Sequence, residues 1–340
     1  MLKVIENEQA IRKHQRQLVR AVRSLSEERI PVTIGHLGAS QKAKVAWSER
    51  LGVWFFSCKV AGSRYWNAFG IGRPEGGAAV AITCEINFPL CGIDRRTGGA
   101  FAQDRAGHVF VVHRGKLGGG RKGIGKSLFE DRYRGVWEMM DDGDEQTPVA
   151  VIGALHSPRL ARQIAQFVVK IARIKEQASA PSPQTELSFD EFGMREELIG
   201  SRQVEPEREI GAECDHGLIV RDLAEALKKQ GLRTGNDDQR DLLVMERDGR
   251  IRAIFQIMTG MSPCRLHAGA MALLLSGVDL PEKPRLFLVL PAAPEGELGE
   301  KLRRLDIEML TYAWGEEGAV FTGLDAPAPG ILPGDPARCA

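Results

Sequence analysis

The sequence has little net charge, no long apolar run and no closely spaced pair of cysteines. Its 46 lysine and arginine residues nearly balance 45 aspartate and glutamate residues, so the formal net charge is only +1. Overall charge therefore gives no reason to expect a polyanionic partner, and such an expectation must rest on local clusters. The longest apolar runs, such as 271–275, are far too short to cross a bilayer. The N-terminus, MLKVIENEQ, does not have the form of a signal peptide.

The cysteines are scattered and form no recognisable metal motif. They are Cys58, Cys84, Cys91, Cys214, Cys264 and Cys339. None belongs to a Cys-x-x-Cys pair, and Cys84 and Cys91 are too far apart for a zinc knuckle. This usage predicts reduced thiols in a cytoplasmic protein. The sequence also lacks Gly-x-Ser-x-Gly and His-Glu-x-x-His, the motifs of many serine hydrolases and zinc peptidases.

Composition and periodicity divide the 340 residues into two domains. Residues 1–176 contain short apolar runs bounded by glycine, proline or aspartate, with a helical pattern at each end, which predicts an α+β domain of mainly antiparallel sheet and flanking helices. Residues 177–211 contain ASAPSPQ and an acidic stretch, which indicates a linker. Residues 212–328 begin with a helical pattern and form the second predicted domain, and 329–340 are a tail.

Two clusters of basic residues are candidates for contact with phosphate. The helix predicted over 6–25 carries one cluster, which consists of Arg12, Lys13, Arg16, Arg20 and Arg23. We interpret it as a solvated face, with a phosphate-facing helix as the alternative. The glycine-rich stretch after the strand predicted over 108–113 carries the other, which consists of Arg114, Lys116, Arg121, Lys122 and Lys126. Glycine lets backbone amides approach an anion that the cations attract, so this loop is predicted to bind nucleic acid, a solvated loop being the alternative.

Other features near the glycine-rich stretch have structural interpretations. Gly120–Ser127 has the Walker A spacing, in which Lys126 would contact the β- and γ-phosphates. The predicted strand ends well before Gly120, however, and no apolar strand ending in aspartate follows to hold magnesium. His113, which ends that strand, is interpreted as structural. The nearby aromatic residues could stack on bases but are interpreted mainly as core residues; they are Trp66, Phe101, Tyr133 and Trp137.

The stretch from Asp241 to Gly260, DLLVMERDGRIRAIFQIMTG, predicts a β-hairpin. Asp248-Gly249 is a strong signal for its turn. Asp241 opens the first strand, and Gln256 lies near the end of the second. An acid and a second oxygen ligand on adjacent strands can share a divalent cation, because hard cations require several converging oxygens.

This hairpin resembles the core of the restriction-endonuclease-like, or PD-(D/E)xK, nuclease superfamily. That pattern has an Asp opening one strand, then a Glu or Gln, one spacer and a Lys on the next, and here these positions hold Asp241, Gln256 and Met258. The resemblance covers 215–324 and includes LHAGAMALLLSG as a helix on the sheet and KPRLFLVLP as a buried strand. It implies an α/β restriction-endonuclease-like domain with Mg²⁺ held by Asp241, Gln256 and the Ile257 carbonyl. It also implies a catalytic acid on the preceding helix, for which Glu225 is the candidate.

Met258 stands where the pattern has its only cation. The lysine of these nucleases positions the attacking water and stabilises charge on the phosphate, and a thioether can do neither. We therefore expect a nucleic-acid-binding protein related to restriction and defence nucleases, with DNA preferred to RNA and with an impaired or lost phosphodiesterase site. Three alternatives stay open: a Mg-dependent DNA endonuclease in which Arg250 or Arg252 replaces the lysine, a P-loop nucleotide-binding enzyme, and a non-enzymatic interaction module. A homodimer is also left open.

Overall fold

The computed structural model describes residues 1–36, 39–117, 125–179, 210–278, 280–294 and 296–324. Within these ranges the chain forms two compact units, of which the first contains 1–179 with 210–214 and the second contains 215–324. The units combine helices with sheets, so the expected mixture of α and β structure is confirmed. A search of the described helices finds none that is long and apolar enough to cross a membrane, and no disulfide joins the described cysteines.

The first unit is built on a barrel and a sheet. Its strands are β1 (Leu2–Val4), β2 (Glu28–His36), β3 (Ala39–Ser48), β4 (Val53–Val60), β5 (Arg64–Ile71), β6 (Ala79–Val80), β7 (Cys84–Glu85), β8 (Phe88–Pro89), β9 (Gly99–Gln103), β10 (Val109–His113), β11 (Val136–Asp141) and β12 (Gln146–Ala154). Its helices are α1 (Glu8–Arg23), α2 (Lys126–Arg132), α3 (Leu160–Ser179) and α4 (Ile210–Glu213). The barrel has the order β1-β11-β12-β10-β9, and the sheet has the order β6-β2-β3-β4-β5-β7, with β8 paired to β5.

Helix α1 is held on the first unit by its capping and by its apolar face. The Asn7 side chain accepts a hydrogen bond from the Ala10 N–H at 3.0 Å, which satisfies one of the donors left open at the start of a helix. Ile11, Leu18 and Val22 are buried in a core that α3 also enters. The apolar residues recur at helical spacing, so the opposite face of α1 is left for polar side chains.

The second unit is one mixed sheet covered by helices on both faces. Its strands are β13 (Arg233–Gly235), β14 (Leu242–Met245), β15 (Ile251–Ile257), β16 (Arg285–Leu290), β17 (Ile307–Trp314) and β18 (Ala319–Thr322), and its helices are α5 (His216–Lys229), α6 (Pro263–Val278) and α7 (Glu297–Arg304). The strands lie in chain order; β15, β16 and β17 are parallel, and the remaining neighbours are antiparallel. Neighbouring residues of β15 point to opposite faces, since Phe255 packs in the cluster that contains α5 and Ile254 in the cluster that contains α6.

Candidate functional site

The β14–β15 hairpin brings two of the predicted metal ligands together. Asp241 directly precedes β14, and Leu242 is paired with Phe255, so Asp241 lies beside Gln256 at one end of the hairpin. Gln256 Nε2 donates a hydrogen bond to Asp241 Oδ2 at 2.6 Å. The pairing register of the two strands is therefore what places these side chains in contact.

The Asp241 carboxylate is surrounded by hydrogen-bond donors. Besides Gln256, its Oδ2 accepts from the Ile257 backbone N–H at 2.9 Å and, where Nε2 carries the proton, from His216 at 3.2 Å. Only 18% of the Asp241 side chain is exposed. A carboxylate oxygen has about two lone-pair sites, so a cation bound to this atom would have to displace internal donors. Across the described ranges there is no group of three or more His, Cys, Asp or Glu residues that could hold a metal.

His216 is the member of this cluster that sequence reasoning missed. It is the first residue of α5, and it is buried beside the end of the hairpin. The helix start just before a predicted hairpin was visible in the sequence. No local pattern tells which side chain at that start reaches Asp241, because the contact joins residues that lie on separate elements.

Met258, which stands at the lysine position of the nuclease pattern, makes an apolar contact. It lies on the same face of the strand as Gln256, two residues further on, and it packs in the cluster that contains α6. Its Sδ atom lies 2.6 Å from the position that a Cβ would occupy at Gly269, so the thioether rests directly on the helix backbone. The face of the hairpin that would carry the cation is thus packed against α6 at this residue.

The other residues proposed for catalysis lie away from Asp241. Glu225 is exposed on α5, about 13 Å further along the helix than His216 and on the opposite side of it. The structure therefore does not bring Glu225 to the Asp241 group, because the helix axis carries it away. Arg250 and Arg252 lie at the opposite end of the hairpin from Gln256.

The two hairpin arginines are also engaged in ion pairs. Arg252 Nε contacts Glu246 at 2.6 Å, and both arginines contact Glu282 at 2.8 and 2.9 Å. Arg250 also contacts Asp248 at 2.7 Å. Because they are paired and lie roughly 13 Å (Arg252) and roughly 20 Å (Arg250) along the strand from Gln256, neither of them replaces the missing lysine.

Arg114, which the sequence suggests as a contact to nucleic acid, is a buried residue of the first unit. Only 3% of it is exposed. Its guanidinium forms a two-pronged ion pair with Asp142, at 2.8 Å from Nε and 2.6 Å from Nη2, and Nη1 donates to the Gly99 carbonyl at 3.2 Å. Asp142 is fully buried, and a buried carboxylate requires such a partner. The arginine that follows β10 therefore neutralises an internal charge.

The rest of the basic loop is only partly described. Arg121 and Lys122 lie outside the described residues. Lys116 donates to the Arg95 backbone carbonyl, and Lys126 lies 3.4 Å from Glu130 on α2. Both lysines are exposed, so they keep some access to solvent.

The surroundings of the Walker A match differ from those of a P-loop. Residues 118–124 of this region lie outside the described ranges, but the elements on either side are described. The preceding strand, β10, is antiparallel to both β9 and β12, whereas a P-loop joins a parallel strand to a helix. The helix that follows, α2, is only 7 residues long. These elements give no support to the nucleotide-binding alternative.

His113 is held in its neutral form inside the first unit. The Gly115 N–H donates to His113 Nδ1 at 3.1 Å, so the ring proton is on Nε2, which lies 3.3 Å from the Glu85 carbonyl. Burial lowers the pKa of His113 to about 4. The ring borders a cavity of about 300 Å³ that Cys84 and Lys175 also line. Both ring nitrogens thus have backbone partners, which is the expected arrangement for a structural histidine.

The basic cluster of α1 differs from the loop because its side chains are exposed. Arg12, Lys13 and Arg16 lie on the solvent side of the helix, as do Arg20 and Arg23. Within the described part of the chain none of these five makes an ion pair. Burial and the positive charge of Arg29 lower the pKa of Arg23. The neighbour that most affects this group is therefore another cation and not an acid.

Comparison with known proteins gives no match, whether with protein-family models, with curated proteins or with solved structures.

Proposed function

We propose that the protein binds nucleic acid and that its second unit is a restriction-endonuclease-like domain without metal-dependent phosphodiesterase activity. The observation that carries this proposal is the Asp241 cluster. Asp241 and Gln256 lie side by side at the end of a hairpin, as the resemblance implies, while three internal donors converge on one oxygen of Asp241. The three donors engage Oδ2, so a Mg²⁺ ion would have only Oδ1 of this carboxylate available, with the Gln256 amide and not a second carboxylate beside it.

The order of elements in the second unit also supports the resemblance. The hairpin is followed by α6, which packs on the sheet, and then by β16, which is buried and parallel to β15. These are the helix and the buried strand that the sequence pattern implied. DNA is the proposed partner in preference to RNA, in keeping with the restriction and defence nucleases that the hairpin resembles.

An active endonuclease with a relocated cation is the second candidate, and Arg265 is the observation that favours it. Its Nη1 atom lies 3.0 Å from the position that a Cβ would occupy at Gly260, in the turn that follows β15. The guanidinium therefore lies near the metal-ligand end of the hairpin, unlike Arg250 and Arg252. We rank this candidate second because Oδ2 of Asp241 already accepts from three donors, which leaves a single oxygen, Oδ1, for a metal ion.

Plasmid nicking with Mg²⁺ or Mn²⁺ tests the loss of activity. We expect wild type and Asp241→Ala to be equally inactive. The double variant Gln256→Glu with Met258→Lys should gain detectable nicking, because it restores a second carboxylate and a cation on one face of the hairpin. Lysine can follow the unbranched path of Met258 with its ammonium one atom further out. Gln256→Glu alone should show a rise in melting temperature on addition of Mg²⁺ that wild type lacks.

Robust cleavage by wild type that Asp241→Ala abolishes would overturn the proposed loss of activity. In that case Arg265→Gln identifies the relocated cation, since it should abolish cleavage while Arg250→Gln leaves it intact. Binding is tested apart from cleavage, by titrating labelled DNA without divalent metal. Absence of binding to any nucleic acid at low salt would overturn the binding half of the proposal.

A further inference from the structure

Helix α1 presents its basic residues in a fixed orientation. Its buried residue Gln15 exchanges two hydrogen bonds with Asn67 on β5, at 2.8 and 3.1 Å, and Asn67 is fully buried. Ile11 and Leu18 lie in the apolar core on the same side of the helix. Because the amide pair and the apolar residues fix the rotation of α1 about its axis, the opposite side is held towards solvent.

The five cations of α1 form one continuous basic face. At about 100° per residue they fall within an arc of about 100°, and they extend over about 16 Å of the axis. The members are Arg12, Lys13, Arg16, Arg20 and Arg23. No described residue forms an ion pair with them. The acid of α1, Glu8, lies in the first turn, before the first of these cations. We call this set the α1 basic face.

The basic surface continues onto the hairpin formed by β2 and β3. Arg29 is paired with Ala46 of β3, Ala46 is paired with Phe55 of β4, and Phe55 packs in the core cluster that contains α1. Arg29 therefore lies on the face of the sheet that α1 covers, and its charge also lowers the pKa of Arg23. Arg29, Lys42 and Lys44 share one outward face of this hairpin. On β2 that face carries residues 29, 31 and 33, and these lie directly opposite residues 46, 44 and 42 of β3. All three are exposed, while Ile30 and the other inward residues pack in the core.

The surface lacks the aromatic groups on which single strands stack. None of the aromatic side chains in the described ranges is exposed. Trp66, Phe101 and Tyr133, which lie near basic segments of the sequence, are 0%, 2% and 5% exposed. Proteins that bind single strands without sequence preference commonly combine cations with exposed aromatic residues. A surface with cations alone is suited to the regular phosphate backbone of a duplex.

A membrane is the other polyanionic surface that a basic helix can recognise, but α1 does not meet its requirements. An interfacial helix inserts its apolar face between lipids. The apolar face of α1 is buried in the protein core through Ile11, Leu18 and Val22, so only its charged face is accessible. The structure therefore favours a rigid charged polymer over a lipid surface.

We propose that the α1 basic face, together with Arg29, Lys42 and Lys44, binds the phosphate backbone of double-stranded nucleic acid without reading base sequence. The inference rests on the proposed nucleic-acid-binding function and identifies where and what the protein binds. The face is longer than the roughly 12 Å width of a B-DNA major groove. Cations at its two ends can therefore reach phosphates of both strands.

The test compares two triple variants of the full chain that lose the same charge. Arg12→Gln with Arg16→Gln and Arg20→Gln removes the centre of the face, and glutamine preserves helix propensity. Lys228→Gln with Lys229→Gln and Arg247→Gln removes three exposed cations of the second unit. Binding of a labelled 20-base-pair duplex is measured from 50 to 200 mM salt, beside the single strand, an RNA duplex and phosphatidylserine vesicles. Thermal melting confirms that both variants are folded.

We expect the α1 variant to bind the DNA duplex about 100-fold more weakly at 0.1 M salt, with the slope of log K against log salt reduced by roughly 0.9 for each phosphate that the variant no longer neutralises. The control variant should stay within about threefold of wild type, and duplexes of different sequence should bind alike. An α1 variant that binds like the control would overturn the inference while wild-type binding upholds the proposed function. Tighter binding of single strands, or of vesicles, through the same residues would also overturn it. An RNA duplex that binds as tightly as the DNA duplex would show that the face accepts duplexes of both kinds.

Discussion

The two basic regions of the first unit differ in what surrounds their charges. The region after β10 has five cations between positions 114 and 126, yet Arg114 is buried against Asp142, Lys116 is bound to a backbone carbonyl and Lys126 is beside Glu130. Helix α1 has the same number of cations over a stretch of similar length, between positions 12 and 23, and the structure gathers them on one solvent-facing side. The number of cations in a segment is therefore a poor guide to the charge that a ligand can reach. A better guide is whether the cations recur at helical spacing on the side of the helix opposite its apolar residues.

A similar contrast separates α1 from the second unit. There several cations lie next to acids, as half-buried Arg285 does beside Glu308 at 2.6 Å and exposed Lys301 beside Glu297 at 3.0 Å. The net charge of +1 thus conceals an uneven distribution of paired and unpaired charge. Long-range attraction of a polyanion depends on the unpaired cations, because paired charges largely cancel beyond a Debye length.

The largest predicted effect is on stability, and it is expected for substitution of Arg114. We predict that Arg114→Ala lowers the free energy of unfolding by about 3–5 kcal/mol, because Asp142 is left buried without its main partner. Removing both residues in Arg114→Ala with Asp142→Ala should recover part of this stability. Chemical denaturation measures both variants, with Lys116→Ala as the exposed control that should change stability by no more than about 0.5 kcal/mol.

The Arg114→Ala variant also distinguishes a structural role of this arginine from a role in binding nucleic acid. Where the Arg114→Ala protein is folded, it should bind duplex DNA as wild type does. A variant of normal stability with weakened binding would show that Arg114 contacts phosphate, and the contrast between the two basic regions would fail.

The second prediction concerns acid stability and His113. Its folded-state pKa of about 4 lies below the ordinary value of 6.5, so the unfolded state binds the extra proton between these two pH values. Stability contributed by neutral His113 is therefore complete above pH 6.5 and is lost as the pH falls towards 4, by at most about 3 kcal/mol. Denaturation at several pH values should show a flatter pH dependence for His113→Gln. Parallel curves for the two proteins would contradict a buried neutral histidine.

Local pattern was sufficient to predict several elements. The helix over 8–23, the β14–β15 hairpin and the helix that became α6 were visible, because periodicity and the Asp248-Gly249 turn act over a few residues. The contact between Asp241 and Gln256 followed from the hairpin register. Periodicity also places the basic residues of α1 on one helix, whereas the sequence favours the glycine-rich loop as the binding site.

Contacts between distant parts of the chain could not be predicted in the same way. The barrel closes only because β1 pairs with β11, which places Leu2 opposite Met140, and no local signal specifies that pairing. The burial of Arg114 depends on Asp142, and one of the three donors to Asp241 comes from His216 on α5. Each of these contacts decides whether a charged residue is accessible, so accessibility was the property that the sequence could not supply.

The smallest effect is expected from the lysines of the loop. We predict that Lys116→Gln with Lys126→Gln weakens duplex binding by less than about threefold, because each ammonium already has an internal partner and would have to leave it to contact phosphate. The same salt titration measures it, with Lys228→Gln and Lys229→Gln as the control of equal charge. Because exposed pairs are worth only about 0–1 kcal/mol, Lys126 can exchange Glu130 for phosphate at modest cost, and a small residual effect is consistent with the prediction. A decrease as large as that of the α1 variant would place the loop and α1 in one binding surface, and the two basic regions would then differ in structure but not in function.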